Sequence, residues 1–248
     1  MLSGKNVRQE RPRSGKRLVA CTLGSFVLVI ALGAAFRAIA QDAKPVYAAM
    51  APLEQYLIPD QNAEVALART AAPASVSGDA GAMILGRTGY QTATKGTSGF
   101  VCIVERSWMA DKDDPDFWNP KRRLPICFNA AAARSFLPRT IRKTELILAG
   151  RSEDEAMRLL EDEISKGVLP AVEAGSMCYM MSRQGNFGEG IGPWHPHVMF
   201  FVQQTEPAAW GANEKGSPML AAVQPWGRST TFMVPVRTWS DGTPDTAH

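Results

Sequence analysis

The stretch AMILGRTGYQTATKGTSGFVCIVER, residues 82–106, decides the fold class. Its glycines divide it into AMILG (82–86), YQTAT (90–94) and FVCIVER (100–106), separated by RTG and KGTSG. Short runs rich in β-branched and aromatic residues, bounded by glycine turns, read as strands, and their close succession reads as a three-stranded meander. In the third run Val101, Ile103 and Glu105 face one way, and Phe100, Cys102 and Val104 the other. A strand with apolar residues on both faces belongs in the middle of a sheet, so Cys102 is expected inside.

Working outward, SMCYMMS (176–182), HVMFFVQQ (197–204), PMLAAV (218–223) and TTFMVPV (230–236) bring the expectation to about seven strands. Pro235 places the last at an edge or ends it early. Helical sequence lies around and between these groups. Asp60 can cap a helix over Gln61 to Ala72, stopped by Pro73. Asn129 can cap a short turn from Ala130 to Phe136, ended by Pro138. Ser152-Glu153-Asp154-Glu155 is a capping box, followed by Met157, Leu160 and Ile164 at helical spacing and closed by Lys166 and Gly167. The expected fold is α+β: a mostly antiparallel sheet of about seven strands, with two or three helices packed on one face. It spans 61–244 as a single domain, entered through a proline-containing tether over 41–60.

The front of the chain carries an address. The 248 residues have a formal charge of +3, with 45% hydrophobic and 21% charged residues, the composition of an ordinary globular protein. Residues 1–40 hold seven Lys/Arg against one acid, leaving 20 basic and 23 acidic residues in 41–248, a net of −3. A basic n-region precedes LVACTLGSFVLVIALGAAF (18–36), nineteen residues without a charge, and then Ala38-Ile39-Ala40. That order is an export signal, with cleavage expected after Ala40. The alternative is an uncleaved anchor. At 1.5 Å per residue the run reaches about 28 Å, enough to cross a bilayer core. In both readings residues after 41 leave the cytoplasm. The protein is then periplasmic or secreted, or anchored in the inner membrane and facing the periplasm, with membrane contact through 18–36 only if the signal is retained. A nucleic-acid partner is disfavoured, because the mature charge is negative and basic clustering stops at Lys121 to Arg123.

Export permits disulfides. The mature part keeps Cys102, Cys127 and Cys178, an odd number, so at most one internal bridge can form. Cys102 with Cys127 is the preferred pair, being nearest in sequence. Three buried thiols packed as small apolar groups is the alternative.

Candidate chemistry centres on His195 and His197 in GPWHPHVMFFV (192–202). In an extended chain residues i and i+2 share a face, and Pro196 favours extended geometry at His195. Two imidazoles so placed can grip a transition metal such as zinc, with Glu189, Cys178 or the Asp111–Asp116 loop as candidate third ligands. The plainer alternative has both histidines hydrogen-bonding loop backbone around a buried Trp194. Just upstream, the glycine-rich loop Ser182–Gly192 lacks the order of a phosphate loop. The acidic loop 107–124 resembles the start of a calcium loop but has neither the glycine nor the final glutamate one requires. Ser176 and Cys178 sit in no nucleophile elbow, which leaves a triad with a histidine and Glu105 or an aspartate without support. Trp210, Trp226 and Trp239 in polar loops leave an aromatic groove open.

Segments 86–108, 117–138, 193–202 and 233–244, including FWNPKRRLPICFNAAAARSFLP and PWHPHVMFFV, resemble an uncharacterised family of exported bacterial proteins with no established activity. The resemblance implies a single secreted domain and assigns no catalytic role to any residue. The functional expectation is an exported binding or structural protein of the cell envelope, with a metal-dependent hydrolase or redox enzyme at His195 and His197 as the alternative.

Overall fold

The computed structural model describes residues 47–111, 114–188, 194–224 and 227–246, all within one compact unit. The expected export segment, 1–40, lies outside them. Among the described residues no helix is long and apolar enough to cross a membrane.

The strands are β1 (Gly81–Leu85), β2 (Tyr90–Thr94), β3 (Val101–Glu105), β4 (Leu124–Phe128), β5 (Met177–Met180), β6 (His197–Gln203), β7 (Leu220–Gln224) and β8 (Ser229–Pro235). They form one sheet in the order β2-β1-β3-β4-β5-β6-β8-β7. The α+β class and the largely antiparallel pairing hold, but the meander does not. β1 and β2 make a hairpin, and β3 then lies on the other side of β1 and runs parallel to it. The sheet is therefore mixed. The returning chain crosses the start of β1 at Gly96, where a Cβ would lie 2.0 Å from the Gly81 nitrogen. The glycine read as a turn marker permits this close crossing instead. β2 shows solvent three exposed residues, Gln91 to Ala93, as suits an edge. The eighth strand is β4, LPICF, which begins on the last residue of the loop 107–124 and runs through residues with no expected element.

The helices are α1 (Gln61–Arg69), α2 (Ala74–Ser77), α3 (Ala130–Ser135), α4 (Leu137–Leu148) and α5 (Glu153–Ser165). They cover both faces of the sheet, not one. Alternation along β3 explains why. Cys102 and Val104 pack with Ala68, Ala71 and Ala72 from α1 and the turn after it. Ile103 faces the opposite core, with Ile126, Phe128, Phe201 and residues of α4 and α5 such as Ile147 and Leu160. Small alanines let α1 approach the strands closely. On that face Cys102 and Cys127 stand directly opposite each other in antiparallel register and form the disulfide, leaving Cys178 a buried free thiol.

α3 ends before Pro138, at its C-cap Phe136, as expected, but α4, which was not expected, starts at once. Pro138 lies in the first turn of α4, where its missing N–H would have had no partner in any case. Asn129 caps α3 as expected, accepting from the Ala132 N–H at 2.9 Å. Ser152 caps α5 by accepting from Glu155 N–H at 3.3 Å. Within the stretch expected as a tether, Tyr56 is fully buried, and its hydroxyl donates to the Trp118 carbonyl at 2.8 Å. Its own carbonyl accepts from Arg106 Nε at 2.7 Å. Arg106 Nη1 donates to the Val104 carbonyl, and Nη2 pairs with Glu64 Oε1 at 2.8 Å. This buried ion pair has its hydrogen bonds met, the condition under which charge is tolerated inside.

Candidate functional site

The helix that sequence periodicity passed over builds the most chemically loaded surface among the described residues. α4 turns Arg139, Thr140, Lys143 and Thr144 toward the sheet, all buried, at the i, i+1, i+4, i+5 spacing of one helical stripe. Thr144, Lys143 and Thr140 are engaged by neighbouring groups. Thr144 Oγ1 accepts from Trp108 Nε1 at 3.1 Å and donates to the Thr140 carbonyl at 3.0 Å. Lys143 Nζ donates to the Ala110 carbonyl at 3.2 Å and lies 5.4 Å from the Phe117 ring centre. Thr140 Oγ1 reaches Glu105 Oε1 at 3.5 Å. Glu105 is the last residue of β3 and shares the face of Ile103, so strand alternation aims it at α4.

Between this stripe and the sheet is a cavity of about 150 Å³. Ile126, Phe136, Met199 and Phe201 supply apolar wall, and Glu105, Arg139, Thr140 and Thr231 supply polar atoms. Two of those residues carry unmet hydrogen-bonding capacity: Arg139 Nε and Thr231 Oγ1 are buried without a partner. Burial pushes the Glu105 carboxyl up to about 7, against the attraction of Lys143 and the Thr140 hydrogen bond. Burial pulls Lys143 down to about 8, against the nearby carboxylates of Glu153, Asp111 and Glu105. Near neutral pH this wall can therefore hold or release a proton. An apolar pocket with a few convergent polar groups and perturbed acids is the usual form of a small-molecule site.

The expected site falls elsewhere. His195 and His197 lie where the chain enters β6. His195 Nδ1 bonds Asp245 Oδ2 at 2.7 Å. His197 is 2% exposed, and its Nδ1 lies 2.9 Å from the His195 carbonyl oxygen. A carbonyl only accepts, so Nδ1 carries the proton, and Nε2, buried without a partner, presents a lone pair. Burial pushes His197 down to about 4, keeping the ring neutral. Trp194 stacks on Phe187 and meets the His197 ring edge-on. Glu189, one candidate third ligand, lies outside the described residues. Among the described residues no group of three His, Cys, Asp or Glu is placed to hold a metal ion. Cys178 is fully buried, and burial drives its thiol well above the ordinary value, away from nucleophilic or ligating thiolate.

The glycine-rich and acidic loops meet. Arg123 and Asn186 form a backbone bridge, and Arg122 Nε donates to the Phe187 carbonyl at 2.9 Å. Arg122 also pairs with Asp114 at 2.8 Å, so this acid is engaged in holding the loops together. Gly188, at φ +92°, packs so tightly on Asp116 that a Cβ would lie 1.8 Å from its Oδ2. Of the loop tryptophans, Trp210 is half-exposed beside Phe232 and Trp239 lies under Arg183, while Trp226 falls outside the described residues.

The sequence signal for Glu105 is its place on the Val101 and Ile103 face of a central strand. Arg139, Thr140 and Lys143 were hidden because cations on a helix ordinarily mark its solvent face. No protein-family model matches this chain, and neither does any curated protein or solved structure.

Proposed function

We propose that the chain is an exported protein of a bacterial cell envelope that binds a small molecule in the cavity between α4 and the sheet. The observation that carries the reading is that cavity itself, with Glu105, Arg139, Thr140 and Thr231 converging on an apolar floor. A wall that needed only to be filled would have been apolar, since buried polar groups without partners destabilise a fold. Export is supported by the basic and apolar front of the sequence, and by a disulfide inside a core large enough to fold without one. Ligand-observed NMR with neutral and anionic compounds of about six to ten heavy atoms tests the binding reading. Saturable binding to the wild type, lost in Thr231→Met, which fills the cavity with a flexible side chain, is the expected result. Equal binding to both, or none to either, removes it.

One observation favours a second reading, a metal centre at His195 and His197. His197 presents a buried Nε2 lone pair with its tautomer set by a backbone carbonyl, the arrangement common to ligating histidines. Protein purified without a histidine tag should then retain metal that His195→Ala with His197→Ala loses. Metal-free wild-type protein that takes up no zinc on titration ends this reading.

A further inference from the structure

The buried arginines of this fold differ in one respect. Arg106 has Glu64 as its counter-ion and Arg122 has Asp114. Arg139 has neither kind of partner. It is 2% exposed, its two Nη atoms donate to the backbone carbonyls of Gly227 and Pro170, and its Nε has no acceptor. Among the described residues no carboxylate lies within ion-pair distance of it. Glu105 lines the same cavity, but the charge that attracts it is Lys143. A guanidinium held in low dielectric by two carbonyls, with the Phe136 ring centre 6.0 Å from its carbon, has dipolar partners but no counter-ion, a state that an incoming anion would improve.

Arg139 also stands where two hollows meet. It lines the inner cavity and an outer cleft of about 410 Å³ whose edge carries Gln203, Gln204 and Arg228. The cleft thus has an exposed arginine and the buried Arg139 among its lining residues, and no acid. Thr231 lines the inner cavity, and its buried Oγ1 is a second donor without a partner.

We infer that the ligand of this cavity is a small carboxylic acid, its carboxylate held at Arg139 and its apolar body seated against Phe136, Met199 and Phe201. The inference rests on the ligand-binding reading of the cavity and gives it a chemical class. Size sets one limit, because a cavity of about 150 Å³ holds a body the size of a benzene ring. Charge sets the other. One unpartnered guanidinium N–H and one unpartnered hydroxyl match in number the two oxygens of a carboxylate, whereas a phosphate dianion needs more donors.

The test compares benzoate, its neutral isostere benzamide, and acetate, each titrated into the wild-type protein by NMR at one pH and low salt. Benzoate should bind at least about tenfold more tightly than benzamide, a difference of about 1.4 kcal/mol, and acetate should bind weakly. Arg139→Met should abolish the preference for benzoate, and Arg139→Lys, which keeps the charge, should retain part of it if the Met variant fails to fold. Benzamide binding as tightly as benzoate overturns the carboxylate anchor and leaves the cavity reading standing. Acetate binding as tightly as benzoate overturns the apolar seat. Failure of all three to bind overturns the cavity reading and this inference together.

Discussion

Glu105 shows how a single residue can tie strand geometry to proton chemistry. Its position at the end of a central strand aims it inward, and burial raises its carboxyl from an ordinary 4.5 to about 7. Between those two values the unfolded chain has lost the proton while the folded chain keeps it. Stability therefore falls as pH rises through that window, by up to about 3 kcal/mol for a shift of this size. Glu105→Gln removes the dependence, since glutamine does not titrate. The melting temperature of the variant relative to wild type should climb by several degrees from pH 5 to pH 7, staying below most of the titration of Lys143, whose proton leaves near 8. A constant offset across that range would mean that Glu105 is not the group titrating. Its partner residues are harder to see in a sequence. Arg139 and Lys143 look like solvent-facing charges, and the carbonyls that receive their N–H groups come from segments distant in sequence.

At the level of elements, what was legible followed from local chemistry, and what was missed followed from tertiary contacts. The α5 capping box, the Asn129 cap and the inward and outward alternation of β3 are each written in adjacent residues. The parallel return of β3 beside β1 is not, because a hairpin and a crossing share the same glycine-rich connection. Nor is α4, whose polar stripe faces the core. Its outer face is held by Arg142, whose Nε and Nη2 both bond Glu163 of α5, at 2.9 Å and 2.7 Å. The two caps differ in what they hold. Asn129 accepts from Ala132 and Met177 N–H groups and donates to the Gly175 carbonyl, linking α3 to the start of β5. Ser152 meets one N–H, at 3.3 Å. Asn129→Ala should cost about 2 kcal/mol and Ser152→Ala about 1 kcal/mol or less, read from urea denaturation midpoints at unchanged slope. Equal losses would place the Asn129 contribution in helix capping alone.

For the molecule as a whole, the sheet joins two cores of different character: a small-residue layer of alanines over the disulfide, and an aromatic layer under α3 to α5 that encloses the cavity. The disulfide closes a loop between residues separated by 25 positions, so reduction should lower stability by about 3 to 4 kcal/mol, seen as a drop in melting temperature on adding a thiol reductant. Protein that melts at the same temperature with and without reductant would show that the pair is not bridged in solution. The class of fold could be read from residues 82–106, whereas the cavity could not, because it is assembled from strand ends, a helix and a turn up to 126 residues apart, from Glu105 to Thr231. The most direct test of the account maps a benzoate titration onto the backbone amides of isotope-labelled wild-type and Thr231→Met protein. Benzoate in the cavity should give saturable shifts at Glu105, Thr140, Phe201 and Thr231 in the wild type that vanish when the cavity is filled. Shifts confined to exposed residues around Arg228, or identical in the two proteins, would contradict it.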